Sequence, residues 1–325
     1  QVSIVENDDP SAPGISVEVG DVDAVHAKAV ELIKLCVEMT TAAASGHITS
    51  AASLAHLVTV LSDLATAYLL RFQDTGHPAD LDRAIGTGEH AQAATPAHAP
   101  HRATVLSDLA TAYLFRFQDT GHPADLDRSI DTGERARAAT PAHAPHRATV
   151  LTNLATAYWE RFGRTGRSAD LDRAIAIGEQ AAADTGTRHR ATVLSNLAAA
   201  YHDRFEWAGD LADLDRSIEF HEHAVAVAPD GPTYLSNLGA AYRARYERLG
   251  DMADLDRAVD RLGRAVAGAP PGHRQFATIR SNLGFAYHDR FERNGNLADL
   301  DQAVTHQEQS VAATPADHPE RARYL

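Results

Sequence analysis

Two charged motifs recur along this chain at a fixed spacing. An arginine followed by an aromatic residue appears as Arg71-Phe72, Arg116-Phe117, Arg161-Phe162, Arg204-Phe205, Arg245-Tyr246 and Arg290-Phe291. Nine and eleven residues later come the two carboxylates of an Asp-Leu-Asp triplet: Asp80/Asp82, Asp125/Asp127, Asp170/Asp172, Asp213/Asp215, Asp254/Asp256 and Asp299/Asp301. Paired carboxylates can act on glycosidic bonds or hold calcium. The triplets lack the glycine and closing glutamate of a calcium loop, and they fall where a helix begins. A motif in every unit also suits a framework better than an active site, which needs one copy. The expectation is a set of structural ion pairs, each arginine bridging to an aspartate of its own or the next unit: Arg71 and Asp82, Arg116 and Asp127, Arg161 and Asp172, Arg204 and Asp215, Arg245 and Asp256, Arg290 and Asp301. Removing one partner of such a partly buried pair costs about 3–5 kcal/mol.

The remaining chemistry is sparse. His98-Ala-Pro-His101 and His143-Ala-Pro-His146 could pair across loops as metal ligands, but later units lose the motif, so copied loop residues are the plainer reading. No metal, cofactor or catalytic residue is expected. The single cysteine, Cys36, excludes a disulfide framework and a Cys-rich zinc site, and fits a reducing, cytoplasmic setting. Net charge is -14 without a Lys/Arg cluster, which argues against nucleic acid and anionic membrane surfaces as partners. No run of about 18 apolar residues offers a membrane span. The start, QVSIVENDDPSAPG, reads as neither a signal nor a transit peptide.

What positions these residues is a repeat. Residues 59–103 recur at 104–148 with changes only at Leu70/Phe115, Ala84/Ser129, Gly86/Asp131, His90/Arg135 and Gln92/Arg137, and the pattern continues with drift to the end. Each unit holds two helical patterns. In the second unit, Val105, Leu109, Ala112, Tyr113 and Phe117 mark one buried face of a helix from about Pro100 to Thr120. Gly121 stands where a left-handed cap is expected, and His122-Pro123 makes the turn. Asp125 and Asp127 open a second helix that Thr140-Pro141 stops. Units of this size bury their apolar faces only by stacking on each other.

Leu64-Ala65, Tyr68, Ala84 and Pro96, with Leu109/Tyr113, Leu154/Tyr158, Leu197/Tyr201, Leu238/Tyr242 and Leu283/Tyr287, resemble the tetratricopeptide repeat over about residues 55–325. The departure is length, since that family's unit is about 34 residues. The R-F-x-x-T-G-x-x-x-D-L-D-x-A-I signature is similar to the long arrays that accompany CHAT protease-like domains; the family's catalytic His and Cys have no counterpart here. The resemblance implies an all-α fold, a right-handed α-solenoid of stacked antiparallel helix hairpins, and a concave groove lined by the first helix of each unit. It implies groove positions at Asn153, Asn196, Asn237 and Asn282, where an amide can clamp a peptide backbone. Flanking positions run from Leu69/Leu70 and Leu114/Phe115 through Trp159 and His202 to Arg243, Phe285 and His288, so the groove grades from apolar to polar. Trp159 and Phe285 are anchor candidates. The alternative is that the amides and neighbouring hydroxyls merely solvate or cap their helices.

The ends differ from the array. Residues 1–20 read as disordered, and residues 21–43 as an amphipathic helix with Val25, Ala29, Leu32, Ile33, Cys36 and Val37 inward. Ser45-Gly46-His47 then breaks the pattern before a second helix near Thr49. Ala29–Val60 is similar to the start of transketolase, with His47 at that family's active-site histidine, but the Gly-Asp-Gly cofactor motif is missing. Residues 21–54 therefore read as a hairpin capping six repeats over 55–325, with a seventh beginning at 319–325. The expected function is a non-catalytic scaffold that binds a protein or peptide in its groove. The alternatives are a module that associates end to end with itself, or a fragment of a larger CHAT-like or transketolase-like enzyme.

Overall fold

The computed structural model describes residues 4–5, 16–17, 50–99, 101–184, 186, 189–273 and 275–314. The expected helix over 21–43, His47 and the start of a seventh repeat lie outside them. Ile4–Val5 pairs antiparallel with Ser16–Val17, inside a segment expected to be disordered. All other regular structure among the described residues is helical. The chain divides into two compact units, Gln1–Thr165 and Gly166–Leu325.

The first unit holds α1 (Ser50–Thr75), α2 (Pro78–Ala94), α3 (Arg102–Thr120), α4 (Pro123–Ala139) and α5 (Arg147–Thr165). The second holds α6 (Ser168–Asp184), α7 (Arg190–Ala208), α8 (Leu211–Val227), α9 (Pro232–Leu249), α10 (Met252–Gly268), α11 (Phe276–Asn294) and α12 (Leu297–Ala313). Odd-numbered helices are the first of each repeat, helix A; even-numbered ones are helix B. α3 begins at Arg102, two residues later than the sequence suggests. α1 runs unbroken from Ser50, so the segment before the first repeat flows into its helix A.

Local chemistry sets these boundaries. Each helix A ends at a glycine with positive φ: Gly76, Gly121, Gly166, Gly209, Gly250 and Gly295, at 67° to 75°. A side chain there would strain the backbone. Gly121 N–H closes the helix on Phe117 O at 2.7 Å. Helix B starts on Pro78 or Pro123 in two early repeats, where a missing N–H costs nothing. Later repeats use a side-chain cap instead: Asp210, Asp251 and Asn296 accept from the N–H of Ala212, Ala253 and Ala298. The caps are thus not the Asp-Leu-Asp triplets, which sit a few residues further in and face elsewhere.

In the first unit α2 and α4, and in the second α8 and α10, each pack between their own helix A and the next one. Leu64, Tyr68, Leu81, Ile85, Leu109 and Tyr113 form one such core, and Phe205, Leu214, Leu238, Leu255, Leu262 and Leu283 another. Each fully buried leucine contributes about 1.5–3 kcal/mol. Consecutive A helices also touch: α1 with α3 and α3 with α5, then α7 with α9 and α9 with α11. Consecutive B helices have no comparable contact among the described residues. Helix A is therefore on the inner side of each unit's stack.

Candidate binding surface on the inner helices

The arginine of each helix A is a brace. Arg116 Nε and Nη2 donate to Asp125 at 2.9 and 2.6 Å, a two-pronged pair within the hairpin. The same fork joins Arg71 to Asp80, Arg204 to Asp213, Arg245 to Asp254 and Arg290 to Asp299. The third nitrogen, Nη1, reaches back to the preceding hairpin: Arg116 to Asp82 at 3.2 Å, Arg161 to Asp127 at 3.4 Å, Arg204 to Asp172 at 3.2 Å, Arg245 to Asp215 at 2.8 Å and Arg290 to Asp256 at 3.4 Å. The expected pairing is corrected in two ways. The buried partner is the first aspartate of the triplet, and the second belongs to the arginine of the following repeat. Asp301 has no such partner among the described residues. The arginine hydrogen bonds hold the carboxyls of Asp80, Asp254 and Asp299 below their ordinary range. Each guanidinium also lies over the tyrosine three residues before it, as Arg204 does at 5.1 Å from the Tyr201 ring, adding a cation–π contact.

A second inter-repeat tie was not read from the sequence. Tyr113 donates to Glu89 at 2.6 Å, Tyr158 to Glu134 at 2.9 Å, Tyr201 to Glu179 at 2.7 Å, and Tyr242 to Glu222. The signal was present as a glutamate at one register of helix B, lost only at Gly263 in the repeat before Tyr287.

On the inner face, the amides are engaged with the preceding helix A. Asn153 Nδ2 donates to Thr111 Oγ1 at 2.8 Å, Asn237 to Ser195 Oγ at 3.1 Å and Asn282 to Ser236 Oγ at 3.2 Å. All three are half-buried, as is Asn196. The first two repeats carry Asp63 and Asp108 here. Thr66 Oγ1 donates to Asp108 at 3.1 Å, in the same spacing as Thr111 and Asn153. Burial, reinforced by the nearby Asp63 charge, pushes the Asp108 carboxyl up to about 6.

The flanking positions divide. Leu69 and Leu114 are buried in the core, so they do not line the surface as expected. Trp159 is half-buried. Phe285 is 39% exposed, with the Arg243 guanidinium 5.2 Å from its ring centre. Arg243 is itself held by Asp289 at 2.5 Å and Glu247 at 2.6 Å, which fixes that anchor. His288 is exposed, and with Asp289 and Glu292 forms a cluster within ligand reach of a cation on one face of α11. Asp289 already serves Arg243 there. The histidines of the two His-Ala-Pro-His loops are exposed.

His202 is less available than expected. Its Nδ1 is sealed from solvent without a hydrogen-bond partner among the described residues, as are His221 Nδ1 and Ser217 Oγ. Burial, with His202 nearby, drives the His221 pKa down to about 3.

Residues 190–230 and 276–320 match the family model described as Tetratricopeptide repeat. These ranges cover α7–α8 and α11–α12, whose paired helices and Leu-x3-Tyr spacing have just been described. These two stretches are tetratricopeptide repeats. The fold agrees with solved structures of low sequence identity. A structure from the functional characterisation of Pseudomonas aeruginosa pilF aligns with a TM-score of 0.57 at 15% identity, covering 83% of this chain and 97% of that one. PilW, a widely conserved type IV pilus biogenesis factor, aligns at 0.56 and 14% identity, covering 83% and 99%. The Cut9–Hcn1 hetero-tetramer of APC/C aligns at 0.56 and 13% identity, covering 95% of this chain and 46% of that one. No curated protein matches the sequence. No described helix is long and apolar enough to cross a membrane.

Proposed function

We propose that the inner face of α7, α9 and α11 holds an extended segment of a protein partner, and that the chain is a non-catalytic binding scaffold. The observation that carries this is the half-used amide of Asn237 and of Asn282. Each spends one N–H on a serine of the preceding helix A. Its Oδ1 accepts no hydrogen bond among the described residues. That oxygen and the second N–H match the donor and acceptor of a peptide unit. The serine bond also holds the amide plane in place, reducing the ordering cost of binding. Phe285, steadied by Arg243, supplies an apolar anchor beside them, with His288 one turn on.

A random linear peptide library displayed on phage and selected on the full chain tests this reading. Enriched peptides should lose binding to the Asn237→Ala/Asn282→Ala variant while it melts like the parent. Failure to enrich any peptide, or equal binding to the variant, would end it.

A further inference from the structure

The run His-Asp-Arg-Phe-Glu occurs on two inner helices, at 202–206 on α7 and at 288–292 on α11. The two copies are built differently. On α7 the His202 ring centre lies 6.2 Å from that of Phe205, and its Nδ1 is sealed from solvent. On α11 His288 and Glu292 are exposed and Asp289 is half-buried. There one ligand atom from each of the three lies within 4.8 Å of the others. No other three such ligands come as close among the described residues. The run alone therefore does not make the cluster; its setting on α11 does.

Two contacts give that setting. His288 and Glu292 are one turn apart on one face, with Nε2 4.0 Å from Oε1. Asp289 is fixed from α9, where Arg243 Nε donates to its Oδ2 at 2.5 Å. Glu247 takes the same guanidinium at 2.6 Å, which offsets its charge. Asp289 Oδ1 accepts no hydrogen bond among the described residues.

One imidazole nitrogen with two carboxylate oxygens is a donor set for zinc and its neighbours among the transition metals. Calcium prefers a shell of oxygens alone. Two carboxylates balance a divalent charge. A ligating carboxylate held through its second oxygen is the usual outer support of such a site. We propose that His288, Asp289 and Glu292 bind a divalent transition-metal ion of the zinc class, with Arg243 holding Asp289 in place. The remaining positions around the ion are left to water. The site needs neither the amides of Asn237 and Asn282 nor a bound partner.

The full chain, stripped with EDTA, is titrated with zinc chloride and followed by NMR of the histidine ring nitrogens. The His288 signals are identified by their loss in His288→Ala. They should move and saturate at one equivalent of zinc, and stay still in calcium chloride. Glu292→Gln should weaken the zinc affinity by at least about tenfold, the least that loss of a supporting group costs. Glu206→Gln, the same change in the α7 copy, should leave it unaltered. Both glutamates are exposed, so both variants should melt like the parent, which separates a lost ligand from unfolding. Zinc that moves other rings and leaves His288 still would overturn the proposal. So would an affinity indifferent to Glu292→Gln, an equal loss in Glu206→Gln, or a calcium response as large as that to zinc.

Discussion

At Gly88 and Gly133 the B helices of the first two repeats carry no side chain. A Cβ added there would lie 3.1 and 3.0 Å from Leu109 and Leu154 of the following helix A. The last two repeats place Leu262 and Gln307 at that register, and the bare position moves to helix A. A Cβ on Gly239 would lie 2.5 Å from Leu262 Cγ, and one on Gly284 3.1 Å from Gln307 Cγ. The early repeats use Ala65 and Ala110 where the late ones use these glycines. Close approach thus falls between neighbouring hairpins at the start of the array and within one hairpin at its end. In both regions each close approach leaves one position without a Cβ, on whichever helix lies opposite the larger side chain.

The ion-pair brace is the feature both regions share, and it gives the largest expected effect. Arg116→Ala and Arg245→Ala should each cost about 3–5 kcal/mol, because each strands a buried aspartate. Urea unfolding of the two variants would measure it. Markedly unequal losses would show that the brace differs between the regions as the packing does.

The close approach itself comes next. Gly239→Ala should cost about 1–3 kcal/mol through overpacking against Leu262, and less than that in a chain that already carries Leu262→Ala, where the space is open. Thermal melts of the two single variants and the double variant decide the matter. An equal cost of Gly239→Ala in both backgrounds would remove the idea that the two positions share one space.

The smallest effect concerns the inner face, where the early repeats carry aspartate and the later ones asparagine. With its folded pKa raised to about 6, the Asp108 carboxylate opposes folding at neutral pH. That penalty fades as pH falls through 6 and is gone below the unfolded value near 4. Asp108→Asn should therefore stabilise the chain by about 1 kcal/mol or more at pH 7, with the gain vanishing near pH 4. Denaturant melts across that range would read it. A gain that does not change with pH would mean that the new amide's bond to Thr66, rather than the lost charge, is the cause.

Much of the fold was legible before any coordinates. Gly121 and its repeats announce the helix ends because only glycine adopts that φ without strain. The spacing of Leu109, Tyr113 and Phe117 identifies the buried stripe because α-helical geometry repeats every 3.6 residues. Leu69 and Leu114 were misread as surface because position within a repeat does not reveal how far the next hairpin covers its neighbour. The sealed nitrogens of His202 and His221 were invisible for the same reason.

The sequence by itself determined the helical hairpins, their lengths and the charged types that tie them, since these rest on local backbone preferences and periodicity. Tertiary structure alone decided which aspartate each arginine takes. Residues two apart on a helix point about 200° away from each other. Asp80 and Asp82 must therefore face different neighbours, and only the stacking of hairpins says that the first meets its own arginine and the second that of the next repeat. The same stacking turned one amide hydrogen of Asn237 and Asn282 toward a serine of the preceding helix A.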